Sequence, residues 1–514
     1  MTSRLRLLVY LALCTGLSTI PVNAYNILLA VPIASKSLHN LFTAIGENLV
    51  NANHTVTLLT SFPPSFSHPN FSSLNVLGEV PQPKYNVFEM RDITKAIEKF
   101  TQEIFFIGGI MWDNEEVKEV WNKRNSFDAF LTPSYANEIC MPFLLNYTGH
   151  YMIVSTPGVE YSAMSMAGNW LPPSVVPSMI LPYDEYMSFF ERTVNVIAIP
   201  FLYFYTKSFY FSYQQKFMEQ KFPEIGSLES YYSRARLTLI NGHPALDSPV
   251  PLLPSQVEIG TINAKPAKPL PNDLEEFMAS SGAHGVIYFS IGSIAESADI
   301  PIRAKLEFVE AFRRLPQKVV WKYEGSDLEL PPNVLTRAWL PQQDILGHPK
   351  TRLFISHCGN LGTQEAKYHG VPVLAVPVAF DQPRNAARMV RKKLALSLEW
   401  QTLTAQAIVD AVNELVNDTT YGARLRTISA VLQDQKESPG ARAVWWIEYV
   451  IRHHGAPHLL YPGKRLHFLQ YVSADVLLFI AVCCYVVYRI LRSAVVVAVG
   501  AWRGRLKETK KKKL

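Results

Sequence analysis

The sequence predicts an α/β protein of two doubly wound domains, each a parallel sheet covered by helices on both faces, with one membrane helix after them. Three observations predict it. Strand and helix patterns alternate along both halves of the chain. A Pro-rich stretch at 263–271 separates the halves as a stiff connector. The chain has 514 residues, more than one ordinary domain holds, and a long apolar run stands near its C-terminus. Two such domains facing each other place a ligand cleft between them.

The elements follow in order. Arg4 and Arg6 precede the apolar run 7–13, and Val22-Asn23-Ala24 supplies small residues for cleavage, so 1–24 reads as a secretory signal. The first domain, 25–262, opens with a strand at 25–31, a helix at 41–50 and a strand at 55–60. Its middle, 161–233, is helical in pattern and crowded with aromatics, including Tyr203, Phe204, Tyr205, Tyr210 and Phe211. Plain core and an apolar acceptor pocket or membrane-facing surface both fit that stretch. The second domain, 272–460, has strands at 285–291, 318–323, 352–356, 371–376 and 395–400. Helices are expected at 301–314, 361–369 and 381–393, and three more between Thr404 and His453.

A membrane helix is expected at 468–492, since twenty helical residues rise about 30 Å. The apolar run 493–502 behind Arg492 either shifts the span onward or lies at the interface. A basic tail, 493–514, completes the chain. The formal net charge is +6, and residues 503–514 carry seven Lys or Arg against one Glu. The remainder is balanced, which excludes a basic nucleic-acid groove. The positive-inside rule places the tail in the cytosol and the body in the lumen. Lys511 and Lys512, fourth and third from the end, resemble a dilysine endoplasmic-reticulum retrieval signal. Of five cysteines, Cys14 leaves with the signal and Cys483 and Cys484 sit in the span. Cys140 and Cys358 allow at most one bridge, which the sequence does not decide. Sequons stand at Asn53, Asn70, Asn146 and Asn417.

Chemistry concentrates between Trp339 and Gln382. A strand ends at His357, and a tight loop with Gly359 opens a helix. Free backbone N–H groups and the helix dipole make such an end a diphosphate site. His357 can donate to a phosphate oxygen, and Glu365 can accept from two ribose hydroxyls. Trp339 offers a flat face to a base. Asp381 and Gln382 close the next strand–loop, at the carboxyl edge where α/β sheets bind ligands.

These residues resemble the UDP-glycosyltransferase family of the two-domain GT-B fold. The spacing of Trp339, Pro341-Gln342, His348-Pro349, His357, Gly359, Glu365, Gly370-Val371-Pro372 and Asp381-Gln382 carries the resemblance, which extends over most of the chain. The signal, the span and the lysine-rich tail resemble the animal endoplasmic-reticulum branch. The resemblance implies that Trp339 stacks on uracil and Gln342 contacts the uridine. It implies that Ser293, His357 and the backbone amides of Gly359 and Asn360 hold the diphosphate, Glu365 the ribose, and Asp381 with Gln382 the sugar. It implies inverting transfer from a UDP-sugar co-substrate to a small lipophilic acceptor, without a metal. Asn360 and Leu361 depart from the residues usual in the family at their positions.

The family's base is a His held by an acid. Here the ungapped His position is Leu38, and His39, the candidate catalytic residue, comes one residue later. One residue turns a helical side chain by about 100°. The acid's position is Pro133, with Glu138 five residues on. Two readings stay open. One is an active membrane-bound transferase, using His39 or acting on acceptors that are already nucleophilic, with glucose preferred over glucuronic acid. The other is a UDP-sugar-binding homologue of weak or no activity that serves as a binding or partner protein. A homo- or hetero-oligomer fits either.

Overall fold

The computed structural model describes residues 24–511, except 34, 65, 82, 84, 85, 92, 294, 295 and 467. Residues 1–23 of the expected signal and 512–514 of the lysine tail lie outside the described residues. The chain forms two compact units, divided after Leu460.

The first unit holds two all-parallel sheets. Strands β1 (Asn26–Val31), β2 (Thr55–Thr60), β3 (Phe71–Asn75), β4 (Ala129–Pro133), β5 (His150–Ser155), β6 (Leu237–Ile240) and β7 (Gln256–Glu258) form one, in the order β3-β2-β1-β4-β5-β6-β7. Strands β8 (Val286–Ser290), β9 (Lys318–Lys322), β10 (Val334–Arg337), β11 (Thr351–Ser356), β12 (Val373–Ala375) and β13 (Ala395–Ser397) form the other, ordered β10-β9-β8-β11-β12-β13. Both sheets therefore reverse their winding at one place, between β1 and β4 and between β8 and β11. The crevice beyond the carboxyl ends of such a pair is where this architecture binds ligands.

The strands are apolar on both faces because helices cover both. Ile27, Leu29 and Val31 of β1 face one core, while Leu28 and Ala30 face another. In β8, Ile287 and Phe289 alternate with Val286 and Tyr288 in the same way. The opening helix α1 (Lys36–Asn51) starts five residues before the expected position, because the Ser35 hydroxyl accepts from the Leu38 amide at 3.2 Å. In the aromatic middle, helix α2 (Phe189–Tyr205) buries little. At 100° per residue Phe190, Ile197, Phe201 and Phe204 fall within an arc of about 60°, and all four are exposed.

The expected connector, 263–271, lies pinned to helix α3 (Gln342–Gly347). Gln343 Oε1 accepts from the Lys265 amide and Asp344 Oδ1 from that of Lys268, both at 2.8 Å. Beyond it come helices α4 (Asn360–His369) and α5 (Gln382–Arg391), and later α6 (Pro439–Arg452). Helix α6 follows the second sheet in sequence yet packs against the first. Ala443, Val444, Ile447, Val450 and Ile451, spaced as one helical face, join the core of β1 and α1. The packing thus crosses the expected boundary of the second domain.

In the second unit, a short helix (Phe468–Tyr471) ends before Ser473, whose φ of 56° breaks the helical path. Helix α7 (Ala474–Lys511) then runs unbroken, and 474–505 is long and apolar enough to cross a membrane. The span therefore starts six residues later than expected, and the run behind Arg492 continues the same helix. Cys140 and Cys358 are buried and free, and no disulfide occurs among the described residues.

Ile447, wholly buried under the first sheet, tests the fold-back. Ile447→Ala should cost about 2–5 kcal/mol. Hydrogen exchange should speed in α1 and β1, with β9 and β11 unchanged.

Candidate functional site

The loops after β8 and β11 flank the switch point of the second sheet, and His357 lies between them. Gly292 has a φ of +94°. A Cβ there would stand 2.6 Å from His357 Cε1 and Nε2, and one on Gly359 would stand 2.5 Å from Nε2. Both glycines thus make room for the imidazole. Burial, aided by the Lys322 charge, lowers the pKa of His357 to about 4, so the ring is neutral. Its Nδ1 is buried and has no partner among the described residues. A neutral imidazole beside the N-terminus of α4 suits a diphosphate oxygen. Ser293 is half-buried on the β8 loop beside Gly292.

The residues expected on the nucleoside side build on α3. Trp339 is 57 % exposed, with its ring open to stacking. Gln342 Nε2 donates to Glu365 Oε2 at 2.6 Å, and Asn263 Nδ2 donates to Glu365 Oε1 at 3.2 Å. The Tyr288 hydroxyl donates to Gln342 Oε1 at 3.3 Å. Burial raises the Glu365 carboxyl to about 7, although both amides favour its charged form. Asn263 and Tyr288 were not anticipated from the sequence. Their positions, on the connector and inside a buried strand, carry no motif.

Of the residues expected to hold the sugar, Asp381 precedes α5, and Asn385 Nδ2 donates to its Oδ2 at 2.7 Å. Burial raises the Asp381 carboxyl, while the Arg384 charge and the backbone N–H of Asn360 oppose the shift. Gln382 turns its carbonyl inward, accepting from the amides of Val378 and Ala379 at 2.8 and 3.1 Å. This leaves its amide N–H groups for a ligand. Asn360 differs from expectation. Its side chain reaches the first sheet, donating to the carbonyls of Thr156 (2.9 Å) and Asn241 (3.3 Å). Its N–H serves Asp381, so neither group is directed to a diphosphate.

The acceptor side is different. His39 is 0 % exposed. Nδ1 lies 3.0 Å from Thr60 Oγ1 and Nε2 3.3 Å from Thr43 Oγ1. Burial, with Lys36 nearby, lowers its pKa to about 4. Leu38 is half-buried against the core. Pro133 ends β4 and Glu138 lies apart from His39. Tyr232 and Tyr210 donate to the two Glu138 oxygens at 2.6 and 2.8 Å. The structure brings no imidazole–carboxylate dyad together at these positions. Among the sequons, Asn53, Asn146 and Asn417 are exposed and Asn70 is half-buried. His348 Nε2 meets Glu275 at 3.2 Å and belongs to a turn.

The family model described as "UDP-glucoronosyl and UDP-glucosyl transferase" matches residues 42–511. UDP-glucosyltransferase 2 of Dactylopius coccus is 32 % identical over 493 residues, 92 % of this chain and 94 % of that protein. UDP-glucuronosyltransferase 2B9 of Macaca fascicularis is 34 % identical over 465 residues, 85 % of this chain and 86 % of that protein. Among solved structures, a glycotransferase of kitacinnamycin superposes with a TM-score of 0.56 at 19 % identity. The match covers 83 % of this chain and 98 % of that one. That similarity identifies the fold as GT-B.

If two ribose hydroxyls add to the amide donors on Glu365, they further favour the charged carboxylate. Binding of UDP near pH 7 should then release a fraction of a proton. Calorimetry in buffers of different ionisation enthalpy should detect it, and Glu365→Gln should abolish it. An equal release from the variant would place the proton elsewhere.

Proposed function

Because the chain belongs to the UDP-glucoronosyl and UDP-glucosyl transferase family, we propose that it transfers a hexose, with glucose preferred, from a UDP-sugar to a small lipophilic acceptor. It is a UDP-dependent glycosyltransferase. One observation carries the finer reading. The donor reading draws on Trp339, Gln342, Glu365, His357 and the α4 N-terminus, whereas on the acceptor side both His39 nitrogens and both Glu138 oxygens already have partners.

In the proposed reaction the acceptor atom attacks C1 of the sugar from the face opposite the diphosphate. The C1–O bond to UDP breaks, the electron pair leaves with UDP, and the configuration inverts. His357, beside the α4 N-terminus, stabilises the charge that develops on the leaving diphosphate. Asp381 and Gln382 orient the sugar, and the acceptor proton passes to water. With both nitrogens of His39 held by threonines and Pro133 in the place of an acid, deprotonation is left to the acceptor. Acidic phenols meet that requirement by ionising in water, and aromatic amines avoid it by attacking through a neutral lone pair and losing the proton to water afterwards. The exposed aromatic face of α2 and the apolar length of α7 support a membrane-bound protein that meets partitioning acceptors. A luminal body with a cytosolic, dilysine-bearing tail in the endoplasmic reticulum completes the reading, with glycans at the exposed sequons.

The experiment supplies labelled UDP-glucose and UDP-glucuronic acid separately to membranes bearing the chain, with phenols of graded pKa. Glycoside above a His357→Ala control names the donor. The rate at fixed pH should follow the phenolate fraction and should survive His39→Gln within about threefold. A loss of a hundredfold or more in His39→Gln, with folding intact, would restore His39 as the base. UDP binding without glycoside would leave a donor-binding protein.

A further inference from the structure

Arg384 is among the largest fully buried side chains of the molecule, 1 % exposed. It stands on α5, three residues after Asp381. Its guanidinium crosses to the first half of the unit. Nη1 donates to the Val159 carbonyl at 3.4 Å and Nη2 to the Pro157 carbonyl at 3.3 Å. Those residues flank Gly158, whose φ of +83° turns the loop after β5. The Ser155 hydroxyl donates to the Gly158 carbonyl at 2.6 Å, which holds that turn. Asn360, which opens α4, takes the Thr156 carbonyl of the same segment. Two donor-side helices, α4 and α5, therefore grip one loop of the opposite sheet.

The charge is arranged across the same divide. The carboxylates of Asp381, Asp247 and Glu160 attract the guanidinium, and Arg388 repels it. Glu160 caps the helix Tyr161–Met166, accepting from the amides of Ser162 and Ala163 at 2.9 and 3.0 Å. Its loop thus anchors a wall on the first-sheet side. A buried arginine carries a desolvation cost that an apolar side chain of similar volume avoids. What it supplies in return is a planar fork that satisfies two carbonyls at a fixed spacing.

We propose that Arg384 is a positioning residue that couples the sugar-binding Asp381 to the acceptor-side loop 156–160, so that a bound donor is registered against the acceptor. The inference rests on the proposed roles of Asp381 and of the first-sheet side. Lysine at this position keeps the charge near Asp381 but loses the fork; methionine keeps bulk and loses the charge.

The test uses the full-length chain in membranes, with Arg384→Lys and Arg384→Met. With UDP-glucose and a phenol, Arg384→Lys should lower kcat at least tenfold while the Kd for UDP stays within about twofold. UDP released by hydrolysis should rise relative to glycoside formed, because the donor is cleaved without a registered acceptor. A wild-type kcat would overturn the proposal. So would a parallel fall of kcat, UDP affinity and Tm, which marks a structural role alone. Hydrogen exchange of the unliganded protein decides independently of turnover. Protection over 158–163 should fall at least fivefold in both variants while β11 and β12 hold, and unchanged protection would overturn the coupling. If wild type forms no glycoside, the proposed function fails, and the exchange experiment still tests this inference.

Discussion

Cations of the second half seated on backbone carbonyls of the first are the interaction on which the candidate site depends. Lys367 Nζ donates to the Leu246 carbonyl at 2.9 Å, and Lys392 Nζ to that of Asp247 at 2.7 Å. Arg388 pairs with the Asp247 carboxylate at 2.9 Å. Lys367 is buried, which lowers its pKa to about 8, with Asp247 opposing the shift. Taking such a cation out of water costs several kcal/mol unless its donors are met. A carbonyl in a folded loop is a fixed dipole, so these contacts hold in a narrow range of relative positions. The same contacts bring the carboxyl edges of the two sheets together, because the cations follow β11 and β12 while their acceptors follow β6.

Within that frame the donor site is defined by space as much as by charge. The imidazole of His357 fits only because two residues on separate loops have no side chain. Its two flanking loops come from strands that neighbour each other at the winding reversal, β8 and β11. Topology therefore delivers the two glycines to one ring without any contact between them in sequence. Cys358, between the ring and the helix, takes a φ of 63° and lies buried. The turn is held there by the Cys358 amide, which donates to Ser356 Oγ at 3.1 Å.

The second half was largely legible in the sequence because its strands are buried on both faces and separated by amphipathic helices. Runs such as Val286–Ser290 and Thr351–Ser356 leave little ambiguity about type. The motif from Trp339 to Gln382 fixed the spacing of the candidate donor residues, since all but Glu365 sit at or beside the end of an element. Strands β3 to β7 were less visible. Phe71–Asn75 alternates weakly at the sheet edge, and β7 has only three residues. Contacts that bridge distant segments were not visible at all. Asn360 reads as a phosphate ligand through its backbone amide, but that N–H serves Asp381, and its side-chain amide finds carbonyls some 120 and 200 residues away. His39 reads as a displaced base, and only the fold shows Thr43 and Thr60 against its two nitrogens. Helix α6 has a clear apolar face, yet nothing local says which sheet that face covers.

That returning helix has a consequence for the order in which the molecule is made. The first sheet is complete in strands once Glu258 has been synthesised, but one of its cores lacks Val444, Ile447 and Ile451 until the chain has grown past α6. At ~5–20 residues per second the interval is roughly 10–40 s. During it, apolar surface on β1 and α1 stands uncovered while the second sheet is still being extruded. Uncovered apolar surface of that kind is what aggregates or engages chaperones, so the nascent chain should depend on them during that interval. Their first domain closes only after the second has been threaded past it.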